Sequence, residues 1–235
     1  MYIVHILKHD QCSYIICQPF SPIRSMRSQP EMPTSRRKPT QERSREKYDL
    51  IVDSAKSLIG ERGNDSVSMR EIAKAAGVAP SSIYQYFPDK NAIVTAIMEG
   101  YFEQIQCLLK DVTSQAKSVS ELSNALELAV DYFYQLFLDD PALTTIWAGI
   151  QANTVLRDLD TEDTKTNAKL LADKLCKLLP QADHQTAFDA CLLMIQMLGL
   201  TVRMTLAMED EVGLRLLNEF KTLSRIRFKE FVGNT

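Results

Sequence analysis

Apolar side chains recur along this chain at three- and four-residue intervals, the spacing of one face of a helix. From about Gln41, Leu50, Ile51, Ala55, Leu58 and Ile59 follow that spacing until Gly63-Asn64 stops it. Ser68 followed by Glu71 is a capping box and starts a second helix, which carries Ile72, Ala73 and Ala76 as a narrow stripe of small side chains and ends at Gly77. Pro80 sits at the first position of a third helix, where its missing N–H has no intrahelical partner to lose. There Ile83 and Phe87 face inward, Ser81 and Gln85 lie opposite, and Ser82, Tyr84 and Tyr86 occupy the margins. Pro88-Asp89 breaks the chain again, and Asp89 caps a long helix with Ile93, Ile97, Tyr101, Ile105 and Leu108 on one side.

From Val119 onward there is no Gly-rich loop, no period-two alternation and no internal repeat, so the predicted fold class is all-α. Leu122 to Leu138 is amphipathic and rich in aromatics, and Asp139-Asp140-Pro141 opens a helix containing Trp147. The charged run Asp158 to Lys165 reads as a loop or helix start before a leucine-spaced helix from Ala168 to Leu179. Ala187 to Met208 is apolar almost all round. Gln196 and Arg203 inside it argue against a membrane span, since an arginine at a bilayer centre costs about 2.5–3.5 kcal/mol on insertion scales, and predict a helix buried on several sides. A last helix, about Glu211 to Phe231, carries Leu216, Leu217, Phe220, Leu223, Phe228 and Phe231 on a wide apolar face. Two such helices have more apolar surface than one subunit covers, which points to a partner.

A helix, a short Gly-containing turn and a second helix form a helix-turn-helix, whose second helix enters the DNA major groove. Spacing alone leaves an ordinary helical hairpin equally open. The run Ile72-Ala-Lys-Ala-Ala-Gly-Val-Ala-Pro-Ser-Ser-Ile-Tyr-Gln-Tyr-Phe-Pro-Asp-Lys90, behind its capped start, closely resembles the DNA-binding domain of TetR-type transcriptional regulators. The likeness covers about Arg43 to Met98 without insertion. Ala79 departs from the pattern, which often has Ser or Thr before the proline; alanine cannot cap, a loss of about 1 kcal/mol at the start of the recognition helix.

Charge adds to this picture. The net charge of −3 hides an asymmetry: residues 34–92 hold 11 Lys and Arg against 8 Asp and Glu, whereas residues 93–235 hold 13 against 20. The basic part coincides with the helix-turn-helix, where phosphate contacts need it. The five cysteines form neither an even disulfide set nor a CxxC pair and read as reduced thiols, with Cys107, Cys176 and Cys191 expected to be buried among apolar neighbours. The chain has three histidines, His5, His9 and His184, so a metal cluster or a histidine-based catalytic site is hard to assemble; no enzyme activity, metal or cofactor is expected.

The domains expected are an N-terminal extension over residues 1–39, disordered by its Ser, Pro and Arg content, a DNA-binding domain over 40–92 and a helical domain over 93–235. Since the resemblance starts only near Thr34, translation is expected to begin at Met26 or Met32. Ser81, Ser82 and Gln85 are the candidates for base edges, because Gln pairs bidentately with adenine and Ser donates or accepts. Tyr84 suits a thymine methyl or a phosphate, with packing against a neighbouring helix as the alternative. Arg43, Lys47, Ser68, Tyr86 and Lys90 are the candidates for the phosphate backbone, and in the resembling family the lysine matching Lys90 does contact it. That resemblance further implies a homodimer through the last two helices, a double-stranded palindromic operator, a small-molecule effector and a cytoplasmic repressor. Phe133, Phe137, Trp147, Gln151, Met194 and Met197 are the candidate effector lining. The rival reading is a helical protein-interaction module that never meets DNA.

Overall fold

The computed structural model describes residues 42–150 and 153–233, and the expected N-terminal extension lies outside them. Among the described residues the chain is helical throughout: α1 (Glu42–Arg62), α2 (Met69–Ala75), α3 (Pro80–Tyr86), α4 (Lys90–Ser114), α5 (Val119–Asp139), α6 (Pro141–Gly149), α7 (Thr154–Leu178), α8 (His184–Leu206) and α9 (Asp210–Gly233).

Local signals in the sequence set most of these boundaries. Gly63 and Gly77 take positive φ, 81° and 62°, where the chain leaves α1 and α2. The capping box forms as expected: the Ser68 hydroxyl accepts from the Glu71 N–H, and Glu71 Oε2 accepts from the Ser68 N–H at 2.9 Å. Hydrogen bonds from Ser68, first its hydroxyl and then its N–H, together with the Arg62 guanidinium, pull the Glu71 carboxyl down to about 2. Asp89, Ser118, Asp140, Asn153 and Asp183 each accept from a first-turn N–H of the helix they precede. Ala79 makes no side-chain cap, and α3 begins on backbone bonds alone, with the Ser82 N–H donating to the Ala79 carbonyl at 2.8 Å.

α1 braces the helix pair. Ile51, Ala55, Ile59, Ile72, Ala73 and Ile83 are buried together, and Phe87, just past the end of α3, stacks on Tyr48 with ring centroids 4.8 Å apart. α4 runs unbroken from this group into the remaining helices, so the expected boundary at residues 92 and 93 falls inside its first turn. α1 also packs on α6, closely enough that a Cβ on Gly60 would lie 3.2 Å from the Ala142 nitrogen. At this junction Asp140 binds the Lys56 ammonium at 2.5 Å and accepts from the Tyr101 hydroxyl at 2.5 Å, joining α1, α4 and the cap of α6.

Three expectations need correction. Residues 158–165, read as a loop or helix start, are neither but lie inside α7, because Asn153 starts the helix early and Leu156, Thr164, Asn167 and Ala168 continue one buried face through the charged run. α8 is not buried on several sides: Ala187, Cys191, Val202 and Thr205 are buried and Leu192, Met194, Ile195 and Leu198 half-buried against the core, while Leu193, Met197, Leu200 and Met204 are exposed. By length and composition α8 is apolar enough to cross a membrane. Cys107 is exposed rather than buried, whereas Cys191 is buried and its thiol is pushed up to about 12 by desolvation. α8 and α9 pair tightly at one end, where the Thr205 hydroxyl donates to the Gly213 carbonyl at 3.1 Å and a Cβ on Gly213 would fall 2.6 Å from the Thr205 oxygen.

Candidate functional site

Two sites can be assembled from these helices, one on the outside of α3 and one between α4 and the helices that follow. On α3, Ile83 is fully buried, and the helical repeat therefore turns Ser81, Tyr84 and Gln85 outward, where all three are exposed. Ser82 is half-buried at the margin. No charged residue lies between Pro80 and Tyr86, so this face offers hydroxyl and amide groups, the donors and acceptors that read base edges. Arg43 and Lys47 are exposed and four residues apart on α1, hence on one face of it.

The remaining backbone candidates are partly engaged within the chain. Both hydrogen-bonding groups of Ser68, its N–H and its hydroxyl, are held by Glu71. The half-buried Tyr86 packs on the core, and its hydroxyl oxygen accepts from Ser44 on α1 at 3.4 Å. Lys90 is half-buried, and its ammonium donates to the Asn64 carbonyl at 2.6 Å, which ties the start of α4 to the loop after α1. An ammonium has three N–H donors, so this bond leaves two for another acceptor.

The second site is a cavity of about 110 Å³ walled by α4 to α9. Its apolar side is an aromatic cluster in which Phe133 and Phe137 both meet Trp147 edge-on, at 6.0 and 5.4 Å between centroids. Of the expected lining residues, Phe133, Trp147 and Met194 face the cavity. Phe137 stands behind them in the cluster without lining it, and the Gln151 side chain lies outside the described residues. Met197 is a correction: it belongs to the exposed stripe Leu193, Met197, Leu200 and Met204, which the helical repeat turns away from Met194 and Leu198.

The polar side of the cavity was not expected from the sequence. Asp160, Asp163, Thr164 and Asn167 project from one face of α7 at spacings of three and four. Asp163 accepts from Gln106 of α4 and from the Asn167 amide, both at 2.7 Å. Burial pushes its carboxyl up to about 6, with the Asp160 charge adding to the rise and the two hydrogen bonds opposing it. Burial also raises Asp160, against the opposing pull of Arg203. The Asn167 side chain is 3% exposed and its Oδ1 has no hydrogen-bond partner. The signal in the sequence was Asp-x-x-Asp-Thr-x-x-Asn at helical spacing, masked by the density of charge that reads as a loop or helix start. Among the described residues, no group of three or more His, Cys, Asp or Glu is placed to hold a metal ion.

Residues 51–97 match the tetR family of bacterial regulatory proteins, and residues 120–227 match the tetracyclin repressor-like C-terminal domain. An uncharacterized HTH-type transcriptional regulator of Mycobacterium tuberculosis is 30% identical over 95 residues, 40% of this chain and 46% of that protein, so the chain spans less than half the length of that relative. The fatty acid metabolism regulator protein of Bacillus subtilis is 28% identical over 148 residues, 62% of this chain and 74% of that one. Among solved structures, the fatty acid degradation regulator FadR from Bacillus halodurans aligns with a TM-score of 0.59 at 25% identity, covering 76% of this chain and 94% of that one. With a helix-turn-helix braced by α1 and a helical domain behind it, both matched in order along the sequence, the chain belongs to the TetR family.

Proposed function

We propose that this protein is a DNA-binding transcriptional regulator of the cytoplasm, a repressor that acts as a homodimer on a palindromic operator and is released by a small apolar or amphiphilic effector. The observation that carries the DNA-binding part is the outward face of α3. Ser81, Tyr84 and Gln85 are exposed while Ile83 and Phe87 are buried against α1 and α2, which makes a rigid platform with an uncharged polar edge. Gln85, Ser81 and, from the margin, Ser82 read base edges, Tyr84 meets a thymine methyl or a phosphate, and Arg43, Lys47, Tyr86, Lys90 and the start of α2 at Ser68 fix register on the phosphates.

The homodimer rests on the exposed stripe of α8, Leu193, Met197, Leu200 and Met204, continued on α9 by Leu223 and Ile226. Apolar residues aligned on one face of adjacent helices suit a four-helix contact with a second copy. Two recognition helices related by a two-fold axis then meet half-sites one DNA turn apart. The effector enters the cavity beside Trp147. Because α4 both walls that cavity and begins directly after the helix-turn-helix, an effector that favours one setting of α4 shifts the dimer between operator-binding and free populations by its differential affinity.

The test is binding to duplex DNA over a salt series, with the wild type and with Arg43→Ala and Lys47→Ala. The expected result is a linear fall of log affinity with log salt, its slope shallower by about 1 for each lost phosphate contact. Absence of binding at low salt would leave the protein-interaction reading in its place.

A further inference from the structure

The cavity wall is unequally charged once the internal pairs are assigned. Glu127 of α5 is bound by Arg225 of α9 at 2.6 Å, and Lys221 of α9 is bound to Asp131 of α5, so these lining groups are neutralised by partners. Arg203 of α8 also lines the cavity on its exposed side, and its charge acts on Asp160. α4 contributes no charged group to the wall and α6 contributes Trp147. The lining carboxylates left without a basic partner in an ion pair are Asp160 and Asp163 of α7, with the Asn167 amide beside them; Ser123, Tyr132, Thr164, Ser224 and Gln196 add neutral hydroxyl and amide groups that donate or accept. The Asp163 carboxylate fixes that amide: Asn167 Nδ2 donates to it at 2.7 Å, which leaves Oδ1, the acceptor, without a partner. Both oxygens of Asp163 already accept one bond each, and a carboxylate has room for about four. The α7 face of the cavity therefore presents three acceptors, one of them buried and unsatisfied.

We propose that the cavity takes an amphiphile carrying a protonated amine, whose ammonium donates to Asp160, Asp163 and Asn167 Oδ1 while its apolar body lies against Phe133, Trp147 and Phe228. This deepens the effector role proposed above and rests on it. An ammonium has three N–H donors and a positive charge, matching both the number and the sign of the waiting groups. A carboxylate head would place its charge beside two acidic side chains, with the exposed Arg203 to offset it. An alcohol could supply one donor and no charge. Since the Asp163 carboxyl titrates at about 6, the site is fully anionic only above that pH, and affinity for the amine rises as pH passes upward through it.

Trp147 is the sole tryptophan of the chain and lines the cavity, so its emission reports occupancy directly. The full-length protein is titrated with n-octylamine, octanoate and n-octanol, three probes with one tail and different heads, at pH 5 and pH 7.5. The expected result is octylammonium binding at least tenfold tighter than octanoate at pH 7.5, with most of that preference gone at pH 5. Asp160→Asn and Asp163→Asn are each expected to weaken octylammonium at least tenfold while octanol stays within twofold, which also shows that the variants are folded. Equal affinity for the three probes, tighter octanoate, or a parallel loss of octanol and octylammonium in the variants would overturn the amine assignment and leave the cavity as an apolar effector site. Failure of all three probes to change Trp147 emission would overturn the amine assignment and the effector reading together.

Discussion

Asp163→Asn should stabilise the protein, and by an amount that depends on pH. The folded carboxyl titrates at about 6 against 3.8 for an ordinary aspartate, mainly because burial disfavours its charge. Below pH 3.8 both folded and unfolded chains hold the proton, and the group is neutral in stability. As pH rises, the unfolded chain releases its proton first, so folding loses free energy until the folded group also ionises near pH 6. At about 1.36 kcal/mol per pH unit, a displacement of roughly two units costs about 3 kcal/mol at pH 7.5 and under about 1 kcal/mol at pH 4. Asparagine removes this cost and keeps the bond from Gln106. Its Nδ2 would oppose the Asn167 amide, but rotation of that amide about its last torsion turns the unpartnered Oδ1 toward the new donor. The assay is urea unfolding of both proteins at equal concentration at pH 4 and pH 7.5, followed by Trp147 emission. For a slope of about 2–3 kcal/mol per molar urea, the variant midpoint should exceed the wild type by roughly 1 M at pH 7.5 and by far less at pH 4. A difference independent of pH, or a variant less stable at pH 7.5, would refute the reasoning.

The other expectations follow from packing and capping. Ala79→Ser supplies the missing cap of α3 and should raise stability by about 1 kcal/mol, whereas Ser68→Ala removes a formed cap and should lower it by about as much; thermal unfolding measures both. Gly213→Ala puts a methyl 2.6 Å from the Thr205 carbonyl oxygen and should cost about 1–3 kcal/mol by forcing α8 and α9 apart, visible as a lower urea midpoint. Leu193→Glu with Leu200→Glu places charges in the exposed stripe of α8 and should shift sedimentation from dimer to monomer while leaving the helical circular dichroism signal unchanged.

The helix-turn-helix was legible in the sequence because its information is local. A capping box, two turn residues with positive φ and a proline at a first helical position mark the ends of α1 to α3 within a few residues of where they act. Ala79 was legible for the same reason. The cavity was half legible. Aromatic residues in α5 and α6 announced its apolar side, but its polar side depends on α7 continuing through a charged run, and charge alone suggested a loop or a helix start. Asp160 and Asp163 face inward because Leu156, Thr164 and Ala168 bury that side of the helix, a consequence of tertiary packing that no short window shows. α8 was misjudged for the opposite reason: hydrophobicity is the same whether a partner is the rest of the chain or a second copy, so Leu193 and Leu200 read as core although this chain leaves them exposed. Lys90 carried a signal from resemblance, yet its bond to the Asn64 carbonyl depends on where the α1 to α2 loop lies.

The central claim is that the outward face of α3 reads DNA sequence in a two-fold arrangement. Selection of bound duplexes from a random DNA pool by the full-length protein, repeated with Gln85→Ala, tests it most directly. The account predicts an enriched inverted repeat whose half-sites are centred one DNA turn or a multiple of it apart, and relaxed preference at one position of each half-site in the variant, a change worth about 1–3 kcal/mol per base. A pool that shows no enrichment, or a motif that Gln85→Ala leaves unchanged at every position, would contradict it.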